Sequence, residues 1–253
     1  MHASKRLSGW IFVVLSALFI SGCHPIYYAS NGHNVPLLKE KHEVRVNAGV
    51  TLTEYLAGPD LQMAYAASEN IGIIANGIYL SSGDNSDGYG YLAEAGGGYF
   101  KALNKWWVAE VYAGTGFARV VNQDYYETLT LKFIKPFIQP AVGFSSDYFD
   151  LAFSPKIAWV HYNEPFILDF ELRTDANGNV IVGPDGYAEM NVLKEKQTFF
   201  AFEPGLTMRG GWKYIKVQLQ VVKSLQDIPD GDNLSINLSL SANLASRFRK
   251  VAR

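Results

Sequence analysis

The chain has 253 residues, 22 basic against 24 acidic, a formal charge of −2 and a single cysteine. That balance lacks the basic stripe that nucleic-acid binding needs, and one thiol can build neither an internal disulfide framework nor a thiolate metal cage. With 15 tyrosines, 15 phenylalanines, 5 tryptophans and 23 glycines, the composition points to β-structure.

Lys5 and Arg6 precede an apolar run from Trp10 to Ile20, which ends on the small residues Ser21 and Gly22. This order predicts a signal peptide over residues 1–22, too short to serve as a membrane-spanning helix. The stretch Phe19-Ile20-Ser21-Gly22-Cys23 resembles a bacterial lipobox. The resemblance implies that Cys23 carries acyl chains such as palmitate and becomes the first mature residue, followed by a tether over 23–42 on the periplasmic side. Several chains on Cys23 would hold the protein on a membrane without any spanning helix. Loss of residues 1–22 leaves 20 basic against 24 acidic residues.

Two-residue periodicity then begins. In 43–53, Val44, Val46, Ala48, Val50 and Leu52 share one face, and Arg45, Asn47, Gly49, Thr51 and Thr53 share the other. The same ruler predicts strands at 43–53, 59–68, 71–81, 90–101, 105–119, 129–144, 148–162, 197–209, 213–224 and 234–246. Most reach the roughly 9–11 residues that cross a bilayer at a tilt. Connections along the chain alternate between longer and short: "EYLAG", "SEN", "SGDNSDGYG", "LNK", "VVNQDYYE", "SSDY", the segment 163–196, "RGGW" and "SLQDIPDGDN". The expected fold is an all-β, antiparallel up-and-down β-barrel of about ten strands, eight being the smaller alternative. Its short turns lie at one rim and its longer loops at the other. The domain spans 43–248, with a protruding hairpin at 163–196 built from "FILDFELR" and "VIVGPDGYAEMNV", and a tail at 249–253.

In a membrane the apolar strand faces meet lipid and the polar faces line the lumen. Glu94, Glu110, Asp150, Lys156, Glu203 and Lys216 fall on polar faces, so a polar network is expected where they meet, either a structural core closed by pairing or a path for protons or very small solutes. Tyr65, Tyr79, Tyr91, Tyr99, Trp106, Trp107, Tyr148, Trp159 and Trp212 lie near strand ends, where interfacial girdles form.

These features together resemble small bacterial outer-membrane, porin-like β-barrels. The resemblance implies an outer-membrane location, lipid and the barrel-insertion machinery as partners, and no catalytic signature. The chain departs from the family pattern by ending "RFRKVAR", with Phe248 rather than the last residue as the terminal aromatic. The function expected is non-enzymatic, an envelope structural or interaction role through external loops that could meet a surface protein. One alternative is a lipid-anchored periplasmic calyx with an apolar interior; another is a lipid-modifying hydrolase using His161 at the rim, beside Glu164. Gly88-Tyr89-Gly90 leads into a strand and lacks the helix of a dinucleotide site. The loop around Asp175, Asn177 and Asn179 lacks the closing glutamate of a calcium loop. Neither a cofactor nor a metal is expected.

Overall fold

The computed structural model describes residues 28–82, 88–123, 128–175, 179–183, 190–225 and 231–244. Its strands are β1 (Tyr28–Ala29), β2 (Val44–Leu52), β3 (Ala57–Ala66), β4 (Ile71–Ser81), β5 (Tyr89–Ala102), β6 (Trp107–Gln123), β7 (Thr128–Ser145), β8 (Phe149–Leu172), β9 (Met190–Gly211), β10 (Ile215–Lys223), β11 (Gly231–Asp232) and β12 (Leu234–Asn243). No helix occurs among the described residues. Ten of the strands close an antiparallel up-and-down barrel in the order β10-β12-β2-β3-β4-β5-β6-β7-β8-β9. Closure removes the unpaired edges that an open sheet would present.

The predicted alternation of connections holds in part. Turns at 67–70, 103–106, 146–148 and 212–214 lie at one rim, together with the ends of the barrel at Val44 and Asn243. At the other rim the connections at 82–88, 173–189 and 224–233 are longer, whereas those at 53–56 and 124–127 have four residues each, no more than the turns at 67–70 and 103–106. The 163–196 segment is mostly strand: β8 and β9 run on past the barrel wall, pairing Phe166 with Lys196 and Leu172 with Met190. The expected hairpin pairing is therefore corrected. "FILDFEL" pairs with 190–196, while Val180 bridges Thr174 in a small turn at the tip. There Asp175 accepts the backbone N–H of Asn179 at 2.9 Å, a local turn bond that explains this polar run.

Side chains sort by face in the sense opposite to a water-soluble barrel. Val50, Leu61, Ile73, Phe117, Ile138, Phe153, Phe202, Val217, Leu219 and Leu238 all point outward, exposed. All nine expected girdle aromatics are exposed as well. Inside stand Asn47, Gln62, Glu94, Lys135, Gln139, Lys156, Glu203, Arg209, Gln218 and Gln220, buried.

The tether expectation fails for the described part of 23–42. Residues 28–38 lie inside the barrel, buried or nearly so, and cross it from the long-loop rim to the short-turn rim. At the first rim Tyr28 and Ala29 pair in parallel with Gly231 and Asp232. At the second, the Lys39 ammonium donates to the carbonyls of Ser145 (2.7 Å) and Lys105 (3.0 Å). The physical reason is polar. A narrow lumen lined by amides and charges needs partners, and an unpaired extended segment rich in Asn, His and free backbone groups supplies them.

Candidate functional site: a threaded lumen

Strand register gathers the lumen residues. Lys216, Ser241, Asn47, Gln62, Asn76, Glu94, Gly116 and Lys135 form one line of directly paired positions, passing from β10 through β12 and β2 to β7. Lys156 of β8 pairs with Glu203 of β9. Gly116 matters on this line because a Cβ there would stand 2.8 Å from Cγ of Glu94.

Around mid-lumen, two carboxylates and two ammoniums balance. Lys156 Nζ lies 3.1 Å from Glu94 Oε2; Lys135 Nζ lies 3.1 Å from Glu203 Oε2 and 3.8 Å from Glu94 Oε1. All four are fully or almost fully buried. The threaded segment completes the shell. Tyr28 donates its hydroxyl to Glu203, Asn31 donates to Glu94 (2.9 Å) and accepts from Lys135 (2.9 Å), and Asn76 donates to Glu94 (3.0 Å). Buried charge persists only when paired and hydrogen-bonded in this way.

Next to it, side chains take over the role of a neighbouring strand. Gln220 accepts from the backbone N–H of His33 (2.7 Å) and donates to its carbonyl (2.9 Å). Gln139 donates to the carbonyl of Asn34 (2.7 Å), and Arg209 to that of Val35 (2.6 Å). Asn34 in turn donates to the carbonyl of Met63 and to Asn76. His33 Nδ1 meets Ser154 Oγ at 2.9 Å and the Ser154 carbonyl at 2.8 Å. This serine–histidine contact ties the segment to β8 and is fully buried.

Toward the short turns a second cluster centres on Asp150. Lys216 Nζ lies 2.6 Å from it, Arg45 Nη1 3.1 Å and Arg209 Nη1 3.7 Å. Glu43 stands 3.8 Å from Arg45. Glu110 is buried here without a hydrogen-bond partner of good geometry, its carboxylate facing the backbone of Leu37 and Leu38. Leu37 adopts a left-handed backbone, φ 51°, where the segment bends. Lys39 sits just outside the strands; burial holds its ammonium below the ordinary lysine value, while Asp150 and Glu43 pull it back up.

Toward the long loops the lumen turns apolar. Tyr28 packs edge-on against Phe199 (5.4 Å between centroids) and beside Phe133 (5.9 Å), and Phe133 beside Tyr162 (5.0 Å). The aromatic group roofs the ionic layer, and the small cavity left under the rim is bounded by Leu80, Gly90, Leu92 and Ala118.

The structure thus brings Glu94, Lys156 and Glu203 into one cluster, Asp150 and Lys216 into another, and sets Glu110 close to the second. Lys135, Arg45, Arg209 and the whole 28–39 segment were not singled out from sequence. Strand parity puts Arg45 on the polar face of its strand, and Lys135 and Gln139 alternate with outward Ile134 and Ile138, although Pro136 and Pro140 interrupt that pattern. The segment itself carries no periodicity to find. His161 bonds Thr198 Oγ1 at 2.8 Å, and Glu164 is exposed. An apolar calyx, which needs charged faces outward, does not fit a charged lumen and an apolar exterior. Cys23, Phe248 and the tail 249–253 lie outside the described residues, and among the described residues no cluster of metal-ligating side chains occurs.

No family model and no curated protein matches the chain. Among solved structures, LpxR from Salmonella typhimurium aligns over 80% of this chain and 100% of its own, at 8% identity and a TM-score of 0.37. A bacterial polysaccharide outer membrane secretin aligns over 82% of this chain and 99% of its own, at 11% identity and a TM-score of 0.24. With TM-scores and identities that low, the barrel stands on its own strand register.

Proposed function

We propose that this protein is an integral outer-membrane barrel that does no chemistry and conducts nothing at rest, its lumen filled by its own N-terminal segment. It acts through what it presents at the long-loop rim: the 163–196 hairpin and the chain upstream of Tyr28. The observation that carries this reading is the inverted distribution of side chains, apolar outside and ionic inside over strands long enough to cross a bilayer. Short turns face the periplasm in such barrels, so the long-loop rim is the external one.

Threading then changes what lipidation of Cys23 would mean. Four residues separate Cys23 from Tyr28, and the five Cα–Cα steps between them reach at most about 18 Å. Acyl chains on Cys23 therefore anchor in the external leaflet, beside the mouth where Tyr28 stands, in place of the periplasmic side expected from sequence.

The test is membrane partition of the full-length protein and of Cys23→Ser, by alkaline carbonate extraction and by gel mobility before and after boiling. Retention of the variant with a heat-sensitive mobility shift supports an integral barrel. Release as a soluble, heat-insensitive protein refutes it. Protease or label access to the 163–196 hairpin on intact cells reports the orientation.

A further inference from the structure

The short-turn rim holds a cavity of about 590 Å³ that the proposed role does not use. It opens beneath the point where the threaded segment leaves the lumen. Its walls carry five cations, Lys39, Lys105, Lys213, Lys216 and Arg45, against three carboxylates, Glu40, Glu43 and Asp147. Most of the acidic capacity is already committed. Glu43 accepts from the Lys39 backbone N–H and from Asn243 and lies 3.8 Å from Arg45; Asp147 faces Lys213 loosely at 3.9 Å, both more than half exposed. Lys216 is taken by Asp150 and the Ser146 carbonyl.

Two ammoniums on the cavity wall have no carboxylate within salt-bridge distance among the described residues. Lys39 Nζ gives two of its three protons to carbonyls, and the acids that act on its charge, Asp150, Glu43 and Asp147, stand beyond salt-bridge distance. Lys105 Nζ stands 4.8 Å from the centroid of the Trp106 ring, an attraction that orients the ammonium and leaves its donors free. Trp106 stacks on Phe144 at 5.7 Å, and with exposed Tyr148 it forms an aromatic wall continuous with the outward apolar face.

We propose that this vestibule binds a phosphate group, held by Lys39, Lys105 and Lys213. A tetrahedral anion with several acceptor oxygens suits three lysines that line one cavity from the threaded segment and two turns. The source is either a free phosphate compound or the headgroup of a phospholipid whose tails lie along the Trp106 wall.

The experiment uses full-length protein folded in a zwitterionic detergent at low ionic strength. Inorganic phosphate is titrated in one arm, and short-chain phosphatidylglycerol against phosphatidylcholine in the other, with tryptophan fluorescence and phosphorus NMR line width as readouts. Saturable binding should weaken by about tenfold or more in Lys105→Gln/Lys213→Gln, since each charge-assisted bond is worth about 1.5–3 kcal/mol and 1.4 kcal/mol is tenfold. Both substitutions sit in exposed turns, so the heat-sensitive mobility shift should persist. Lys101→Gln, exposed on the outer face of β5, should leave affinity unchanged. Binding in the phosphate arm identifies a free-anion site; binding of phosphatidylglycerol alone identifies a headgroup site. Absence of saturable binding in both arms, or equal weakening by Lys101→Gln, overturns the proposal. The phosphate arm does not depend on which rim faces the cell.

Discussion

Removing the Lys135 ammonium while leaving its shape largely intact, Lys135→Met, tests whether the lumen is a closed ionic core. Lys135 has no exposed surface and touches Glu203 (3.1 Å), Glu94 (3.8 Å) and Asn31 (2.9 Å). The variant leaves two buried carboxylates facing Lys156 alone, a loss that in buried pairs costs about 3–5 kcal/mol. Lys135→Met/Glu203→Gln restores neutrality, and the side-chain amide oxygen then at position 203 can still accept the Tyr28 hydroxyl; the double variant should recover most of that cost. The assay is urea unfolding of protein folded into phospholipid vesicles, followed by tryptophan fluorescence, with the two variants and Glu203→Gln closing a double-mutant cycle. If Lys135→Met costs under about 1 kcal/mol, or the double variant is no better than the single, these carboxylates are solvated or protonated and the closed network is wrong.

Further outcomes follow from the two faces of the wall. Leu238→Arg, mid-strand and exposed on β12, should lower folding stability in vesicles by about 2–4 kcal/mol if the face meets lipid; a change within about 0.5 kcal/mol would mean that it meets water. Gly205→Val puts a Cβ 2.6 Å from His33 Nδ1 and should loosen the threaded segment. Amide exchange at residues 31–35 should then quicken by about tenfold or more with the strand amides unchanged, and an unaltered exchange pattern would show that the segment yields without leaving. Deleting residues 166–192, beyond the β8–β9 register shift after His161, should keep the heat-sensitive mobility shift; loss of folding would make the hairpin scaffold.

Strand number, the two rims and the outward aromatics were legible because each depends on local sequence. Alternation in "EVRVNAGVTLT" and "LSINLSLSANL" survives any choice of neighbour, and the spacing of turns fixes which ends share a rim. Partners across the lumen were not. That Glu94 meets Lys156 and Lys135 follows from register and shear, which a one-residue slip would reverse. In β7 the alternation is blurred by Pro136 and Pro140, which face outward where no periodic hydrophobic stands, so Lys135 did not announce itself. The segment 28–39 was the least legible. "YASNGHNVPLLK" reads as a polar linker by composition, and only the wall it meets makes it a core.

That core constrains how the barrel assembles. The segment is bonded to side chains or carbonyls of β3, β4, β5, β7, β8, β9 and β10, strands from both halves of the chain. It also runs directly into β2, which pairs with β12 to close the ring. A lumen this full, where a Cβ on Gly32 would already lie 2.6 Å from Gln62, leaves no room to draw the segment through once the ring has closed. The order that satisfies this packing is wrapping: β3 to β10 form around the segment while it neutralises their charges, and the β2–β12 seam closes last. The same polar groups that would make an empty ten-strand lumen costly in a membrane thereby become the template on which the ring is built.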